Sequence, residues 1–530
     1  MVMKINKHSV ASVLIMLFCS CIITAQIKLS SPFGEHMVLQ QGMTVPVWGT
    51  ASPGEKVSVT MNHITQTTKA LSDGKWKVSF LNLKAGGPYE MKIKGKNTIT
   101  FTDVYVGEVW LCSGQSNMDM TVAKENRYWC GVFNEAEEVA SANYPLIREF
   151  YTKFSPSLEP KTEVEGKWEV CSPATVGHFQ AAPYFFGRNL FQKMNVPIGL
   201  LVTTFGASTA EAWTSSEALT KNPDITFLLD NFKQKVDKFN GDSANIMNKY
   251  RKAVADWKGD TAKARAENGD VQANQNRKIP RRPGNPAPWL DQHSPTVLYN
   301  GMVAPLASFA IRGAIWYQGE SNGPTAKQYR ILMETLIADW RKKWEQGDFP
   351  FIYVQLANHQ DLITEPVKDD PMVFVREGQL QNLSISNTAM VVAIDNADPK
   401  DPGNIHPKNK QAIGLRLAMA ARGLVYKENI TYMGPIYDKM VVEDSSIRIY
   451  FKSIGEGLEI KGDKLTGFAI AGEDKKFVWG NAKIDGNTII ISSPEVSKPL
   501  AVRYCWAKNP SASLYNKANL PASPFRTDNW

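Results

Sequence analysis

The stretch at 104–120, VYVGEVWLCSGQSNMDM, decides the architecture of this chain. Val104, Tyr105, Val106, Val109, Trp110 and Leu111 form an apolar run of β-branched and aromatic residues, which predicts a buried strand, and Ser113-Gly114 breaks it into a tight turn. Ser116 follows directly. A serine just past a strand end, with a glycine removing bulk and a helix expected behind it, exposes its hydroxyl beside backbone N–H groups that can stabilise an oxyanion. Serines are also ordinary turn and N-cap residues. A nucleophile therefore needs a base and a second oxyanion donor from elsewhere in the chain.

Around this stretch the sequence alternates apolar strands with amphipathic helices. Strands are expected at 198–204, ending in Phe205-Gly206-Ala207-Ser208, at 309–317, 351–356 and 390–394. Helices are expected at 184–193, at 408–422, and after 322, where Tyr329, Leu332, Leu336, Ile337, Trp340 and Trp344 keep helical spacing. This rhythm predicts an α/β fold, a parallel sheet with helices on both faces, and a ligand site beyond the carboxyl ends of the strands. Ser116, Gly206, Gln318 and Asp395 all fall at or just after strand ends. Residues 214–290 interrupt the rhythm with a charged helical piece and a basic, proline-rich one, an insertion that either borders the active edge or is a surface excursion. Period-two runs with Pro-Gly, Asp-Gly and Gly-Gly punctuation make 26–103 an antiparallel β-sandwich module, and the alternation returns in a second β module at 435–530. The α/β region between them is 104–434.

At 530 residues the chain is too long for one core, and 43% hydrophobic with 21% charged residues marks it as globular. Residues 1–25 carry Lys4, Lys7, an apolar run at 10–23 and Ala25, the pattern of a secretory signal peptide and too short for a membrane span. Export to the periplasm or the exterior is expected. Beyond the leader stand Cys112, Cys130, Cys171 and Cys505, with no metal-type spacing; a Cys130–Cys171 bridge is compatible with an oxidising compartment. A net charge of +8 without a dense basic block argues against nucleic-acid binding.

Candidates for the base and the second donor lie in two polar blocks. His406 stands in DPGNIHPKNK at 401–410, where Pro407 suits the first turn of the next helix and leaves the histidine on the preceding loop. Such a base over the strand ends is what acyl transfer to serine requires. The block WYQGESN at 316–322 follows a buried strand; Gln318 can donate to an oxyanion, Gly319 permits close approach of a ligand, and Glu320 can orient a histidine.

GQSNM at 114–118, WYQGESN at 316–322 and NIHPKNK at 404–410 together resemble the three blocks of the sialate O-acetylesterase group of the SGNH-hydrolase superfamily. MVLQ at 37–40, PIG at 197–199, EAW at 211–213, YNGM at 299–302 and LPASPFR at 520–526 add to the likeness, which spans nearly the whole chain beyond the leader. The resemblance implies a flavodoxin-like three-layer SGNH-hydrolase domain flanked by antiparallel β modules. By the same motifs it implies Ser116 as nucleophile, His406 as base, and Gly206 and Gln318 as oxyanion donors beside the Ser116 N–H. The second block departs from the family's frequent Gly-Gly, having Gly206-Ala207. The triad acid is assigned to Asp401, although Gly403 holds the superfamily's usual position; Asp395, Asp398 and Glu320 stand as alternatives, and a serine–histidine dyad is chemically adequate.

The expected reaction is two-step hydrolysis of O-acetyl esters on carbohydrates, sialic acid or plant and host glycans, with no metal or cofactor. Trp213, Trp289 and Tyr317 are candidates for a sugar-stacking rim, although aromatics are more often core residues. The competing class is a non-catalytic glycan-binding protein on the same fold. A lipase or thioesterase fits the polar blocks poorly.

Overall fold

The computed structural model describes residues 26–125, 127–268 and 282–530. The leader read at 1–25 and the stretch 269–281 within the insertion lie outside the described residues. The central sheet contains β1 (Thr98–Gly114), β2 (Tyr144–Thr152), β3 (Gly166–Cys171), β4 (Ile198–Thr204), β5 (Gly313–Tyr317), β6 (Phe351–Gln355) and β7 (Thr388–Val392). Its order is β3-β2-β4-β1-β5-β6-β7, parallel throughout except for β3, which runs antiparallel to β2 at the edge. The run β4-β1-β5-β6-β7 has the 2-1-3-4-5 order of flavodoxin-like sheets, with its switch point between β1 and β5.

Strands buried on both faces read as unbroken apolar runs, because each face meets a helix layer. Trp110 and Ser113 are three residues apart on β1 and so face opposite sides. Trp110 packs on Phe186 of α2 (Ala181–Met194), ring centroids 5.1 Å apart. Trp316, in register with Ser113, packs on Trp340 of α3 (Tyr329–Trp344), 5.7 Å apart. α4 (Pro371–Gln381) joins α3 on its face, while α5 (Lys410–Leu424) lies along α2. α5 begins later than expected: Asn409 is its N-cap, accepting from Ala412 N at 3.2 Å, so Pro407 stands outside the helix.

The amino-terminal strands read from alternation are present as Val45–Thr50, Lys56–Met61, Lys75–Phe80 and Gly86–Lys94. β1 itself starts among them and continues for 17 residues into the central sheet, so position 103/104 falls inside one continuous strand. Buried Arg148 of β2 fastens this region, donating to the carbonyls of His36 (3.2 Å) and Asp103 (3.0 Å). Residues 214–290 contain the helices Ser216–Lys221, Phe227–Gly241 and Ser243–Asn268. The carboxyl-terminal strands are fastened by buried Arg376 of α4, which donates to the carbonyls of Leu356 (2.9 Å), Ala357 (2.5 Å), Ala507 (2.6 Å) and Lys508 (2.9 Å). The four cysteines are buried and unpaired, so the Cys130–Cys171 bridge is not formed. Among the described residues no helix is long and apolar enough to cross a membrane.

Candidate active site

The ends of β4, β1 and β5 lie level, with Thr204 and Tyr317 in register on either side of Gly114. Gly114 has φ 144°, and a Cβ there would sit 2.2 Å from the Tyr317 carbonyl oxygen, so only glycine lets the chain turn this close to β5. Ser116 opens the single-turn helix α1 that follows in sequence (Ser116–Asp119), its side chain half-buried at the sheet's carboxyl edge. Gly206, just past β4, approaches it so closely that a Cβ on Gly206 would lie 3.7 Å from that of Ser116. Among the described residues the backbone N–H groups of Ser116 and Gly206 have no protein acceptor. Two unpartnered N–H groups thus belong to Ser116 and to the residue packed against it.

His406 reaches the same point from 290 residues away, with Nε2 2.8 Å from Ser116 Oγ. Its loop is pinned on several sides. His406 N donates to Asn404 Oδ1 at 2.9 Å, Gln360 N to Gly403 O at 2.9 Å, and Asn509 Nδ2 of the carboxyl-terminal module to Pro402 O at 3.3 Å. Burial lowers the imidazole pKa to about 4, assisted by the positive charge of Lys410 and by His359. At neutral pH His406 is therefore an unprotonated base. The Trp129 ring lies beside it, centroids 5.0 Å apart, and the Arg127 guanidinium covers Trp129 at 4.9 Å.

The remaining residues of GQSNMD are ties between blocks. Gln115 Oε1 accepts from Gly319 N (3.1 Å) and Ser321 N (3.3 Å). Asn117 Nδ2 donates to Glu320 Oε1 (2.6 Å) and Ile405 O (2.9 Å), while its Oδ1 accepts from Lys410 Nζ (2.9 Å). Asp119 accepts from Arg127 Nη1 (2.7 Å), Thr204 Oγ1 (2.7 Å) and Tyr151 (3.1 Å). Sequence reasoning missed Asn117, Asp119, Lys410 and Trp129. For Asn117 and Asp119 the local signal was polar residues crowded directly behind an apolar strand.

Several expected residues are placed otherwise. Gln318 is fully buried, and its two amide hydrogens are committed to Ser208 O (3.0 Å) and Asn322 Oδ1 (2.7 Å), leaving none for an oxyanion. Asp401 is exposed; its carboxylate accepts from Asn404 Nδ2 at 3.0 Å and reaches His406 only through that residue's backbone bond. Glu320 is held by Asn117, with its second oxygen shut from solvent without a partner and its pKa raised by burial. Asp395 pairs with Arg416 and Tyr515, and Asp398 accepts from Lys400 N. Among the described residues no carboxylate hydrogen-bonds the imidazole. Trp213 and Tyr317 are fully buried core residues rather than a sugar rim, because each lies beneath the edge against a helix or strand; Trp289 packs against Phe239 of the 214–290 region. Among the described residues no three His, Cys, Asp or Glu side chains converge as metal ligands.

A serine hydroxyl bonded to a neutral imidazole, with unpartnered N–H groups on that serine and on Gly206, is an arrangement suited to acyl transfer. Comparison with known proteins agrees with this chemistry. Residues 285–422 match the family model described as carbohydrate esterase, sialic acid-specific acetylesterase. The mouse sialate O-acetylesterase is 29% identical over 546 residues, covering 94% of each chain, and the human one is 29% identical, covering 94% of this chain and 92% of its own. The crystal structure of a carbohydrate acetylesterase from Xanthomonas citri superposes with a TM-score of 0.77 at 31% identity, covering 95% of this chain and 100% of that one. The chain belongs to the sialate O-acetylesterase family of SGNH-type carbohydrate esterases.

Proposed function

We propose that this protein is a serine esterase that removes O-acetyl groups from carbohydrates through an acetyl-enzyme. The observation that carries the reading is the 2.8 Å contact between His406 Nε2 and Ser116 Oγ at the carboxyl edge of the sheet. His406 takes the Ser116 proton as Oγ attacks the acetyl carbonyl carbon. The negative oxygen of the tetrahedral intermediate faces the N–H groups of Ser116 and Gly206, which stabilise charge that is absent in the ester. Collapse expels the sugar oxygen, which takes the proton from His406. Water then gives a proton to His406, attacks the acetyl-serine and releases acetate, with Ser116 Oγ reprotonated. His406 serves this cycle as a dyad base, oriented by its pinned loop.

The sialate O-acetylesterases among its relatives make O-acetylated sialic acid the first substrate to try, with acetylated plant oligosaccharides beside it. Trp129, half-exposed next to His406, is suited to stack on a sugar ring. The chain is read as exported by the leader at 1–25, with a sandwich module at 26–103, a catalytic domain at 104–434 and a β module at 435–530. The test is acetate release by the purified protein and by Ser116→Ala. Release that disappears in the variant supports the serine esterase; release that persists, or none from any acetylated glycan by folded protein, overturns it.

A further inference from the structure

We propose that Lys410 is the positioning residue that holds His406 against Ser116, through the backbone of the histidine's loop; this rests on the serine-esterase reading. Lys410 occupies the first position of α5, where the helix dipole disfavours a cation, and its side chain is fully buried. Among the described residues it forms no ion pair, and it meets Glu320 only through Asn117. Burial lowers its pKa to about 7, with the Glu320 charge opposing, so it is a cation below neutrality and partly neutral at pH 7. A buried lysine at this end of a helix breaks local rules, which is expected where a function compensates.

Its two acceptors show what it does. Nζ donates to Pro407 O at 2.5 Å and to Asn117 Oδ1 at 2.9 Å. The Ile405 carbonyl only accepts, so the Asn117 amide turns its nitrogen toward Ile405 O, 2.9 Å away, and its oxygen toward Lys410, whose amino group donates to it. The carbonyls on both sides of His406 are thereby gripped by one bonded pair. Asn117 is also the residue after Ser116. A single buried cluster therefore sets the separation of the two reacting groups from both of their chains.

The ammonium also acts on the charge of the imidazole. Burial lowers the His406 pKa most, and Lys410 lowers it next, followed by His359. The other charged or titratable groups around the ring are Arg127 beyond Trp129, Glu320 behind Asn117, and Asp401 through Asn404. Removing the Lys410 charge leaves His406 easier to protonate.

Lys410→Met tests this with full-length protein. Its kcat on an acetyl ester is expected to fall about a hundredfold with KM nearly unchanged, as for loss of alignment. The acid limb of kcat/KM is expected to move to higher pH, which a merely structural loss would not produce. Asn117→Ala should lower kcat comparably without moving that limb upward, and the double variant should lose little more than either single one. Unchanged kcat and an unmoved limb in folded Lys410→Met overturn the proposal. Should Lys410→Met not fold, Asn117→Ala decides alone, undiminished kcat being the overturning result. Labelling of wild-type Ser116 by a fluorophosphonate separates this outcome from failure of the serine reading, since that label is lost only if Ser116 is not the nucleophile.

Discussion

Gln318→Leu separates a buried structural amide from an oxyanion donor. The leucine is of similar size, but Ser208 O loses its donor, Asn322 Oδ1 keeps only Ala210 N at 2.9 Å, and the Tyr329 hydroxyl keeps only the backbone Gln318 O at 2.9 Å. Each net hydrogen bond contributes roughly 1 kcal/mol, and stranding the one buried partner left bare, Ser208 O, adds to that, giving about 2–4 kcal/mol in all. In a domain of this size each kcal/mol moves Tm by roughly 2–4 °C, so a fall on the order of 10 °C is expected. Calorimetry measures the fall, and kcat is then read well below the transition, where it should stay within about tenfold of wild type because the Ser116 and Gly206 N–H groups are untouched. A variant with unchanged Tm and a kcat reduced about 100- to 1,000-fold would refute this reasoning and return Gln318 to the oxyanion hole.

Asp401→Asn is expected to keep activity within about threefold, whereas removing an acid that orients a catalytic histidine lowers kcat by about 10⁴, so steady-state kinetics decide between dyad and triad. The pH profile follows from His406, whose pKa is lowered from 6.5 to about 4: the base is lost only as pH falls through about 4, so the acid limb of kcat/KM lies well below that of an ordinary imidazole. The same shift acts on stability. Between pH 6.5 and about 4 the unfolded chain binds a proton at this position that the native protein excludes, so native stability declines across that window by about 3 kcal/mol. Urea midpoints at the two pH values, compared with His406→Gln, isolate this contribution.

The catalytic sheet was legible in the sequence because strands covered on both faces leave uninterrupted apolar runs, and 198–204 was read to the residue. The strands Tyr144–Thr152 and Gly166–Cys171 were not read, since the first mixes buried Arg148 and Glu149 with aromatics and the second lies at the sheet's edge. Ser116 and His406 were marked by turn chemistry and a proline, both local signals, and the structure brings them together. Gln318 and Asp401 were chosen for what their side chains are able to do. What they do is set by partners distant in sequence: Ser208 occupies the Gln318 amide across 110 residues, and Asp401 bonds a near neighbour rather than the imidazole. Lys410 was invisible for the opposite reason, a lysine in the first turn of a helix being an ordinary surface residue until its burial is known.

Among the described residues no carboxylate bonds the imidazole, and this changes how the proton work is divided. A triad acid raises the basicity of histidine and favours the ion pair formed as serine attacks. Here burial and the Lys410 charge lower that basicity, so His406 is a weaker base toward Ser116 and, once protonated, a stronger acid toward the departing sugar oxygen. Protonating a sugar oxygen is the demanding step when an unactivated alcohol leaves, and an acidic imidazolium serves it well. Serine attack must then draw more on the fixed 2.8 Å Ser116–His406 contact and the N–H donors of Ser116 and Gly206 than on basicity. Rigid placement thus takes over part of what charge supplies elsewhere, which is why the ties from Gln115, Asn117 and Lys410 converge on the two loops that carry the reacting atoms.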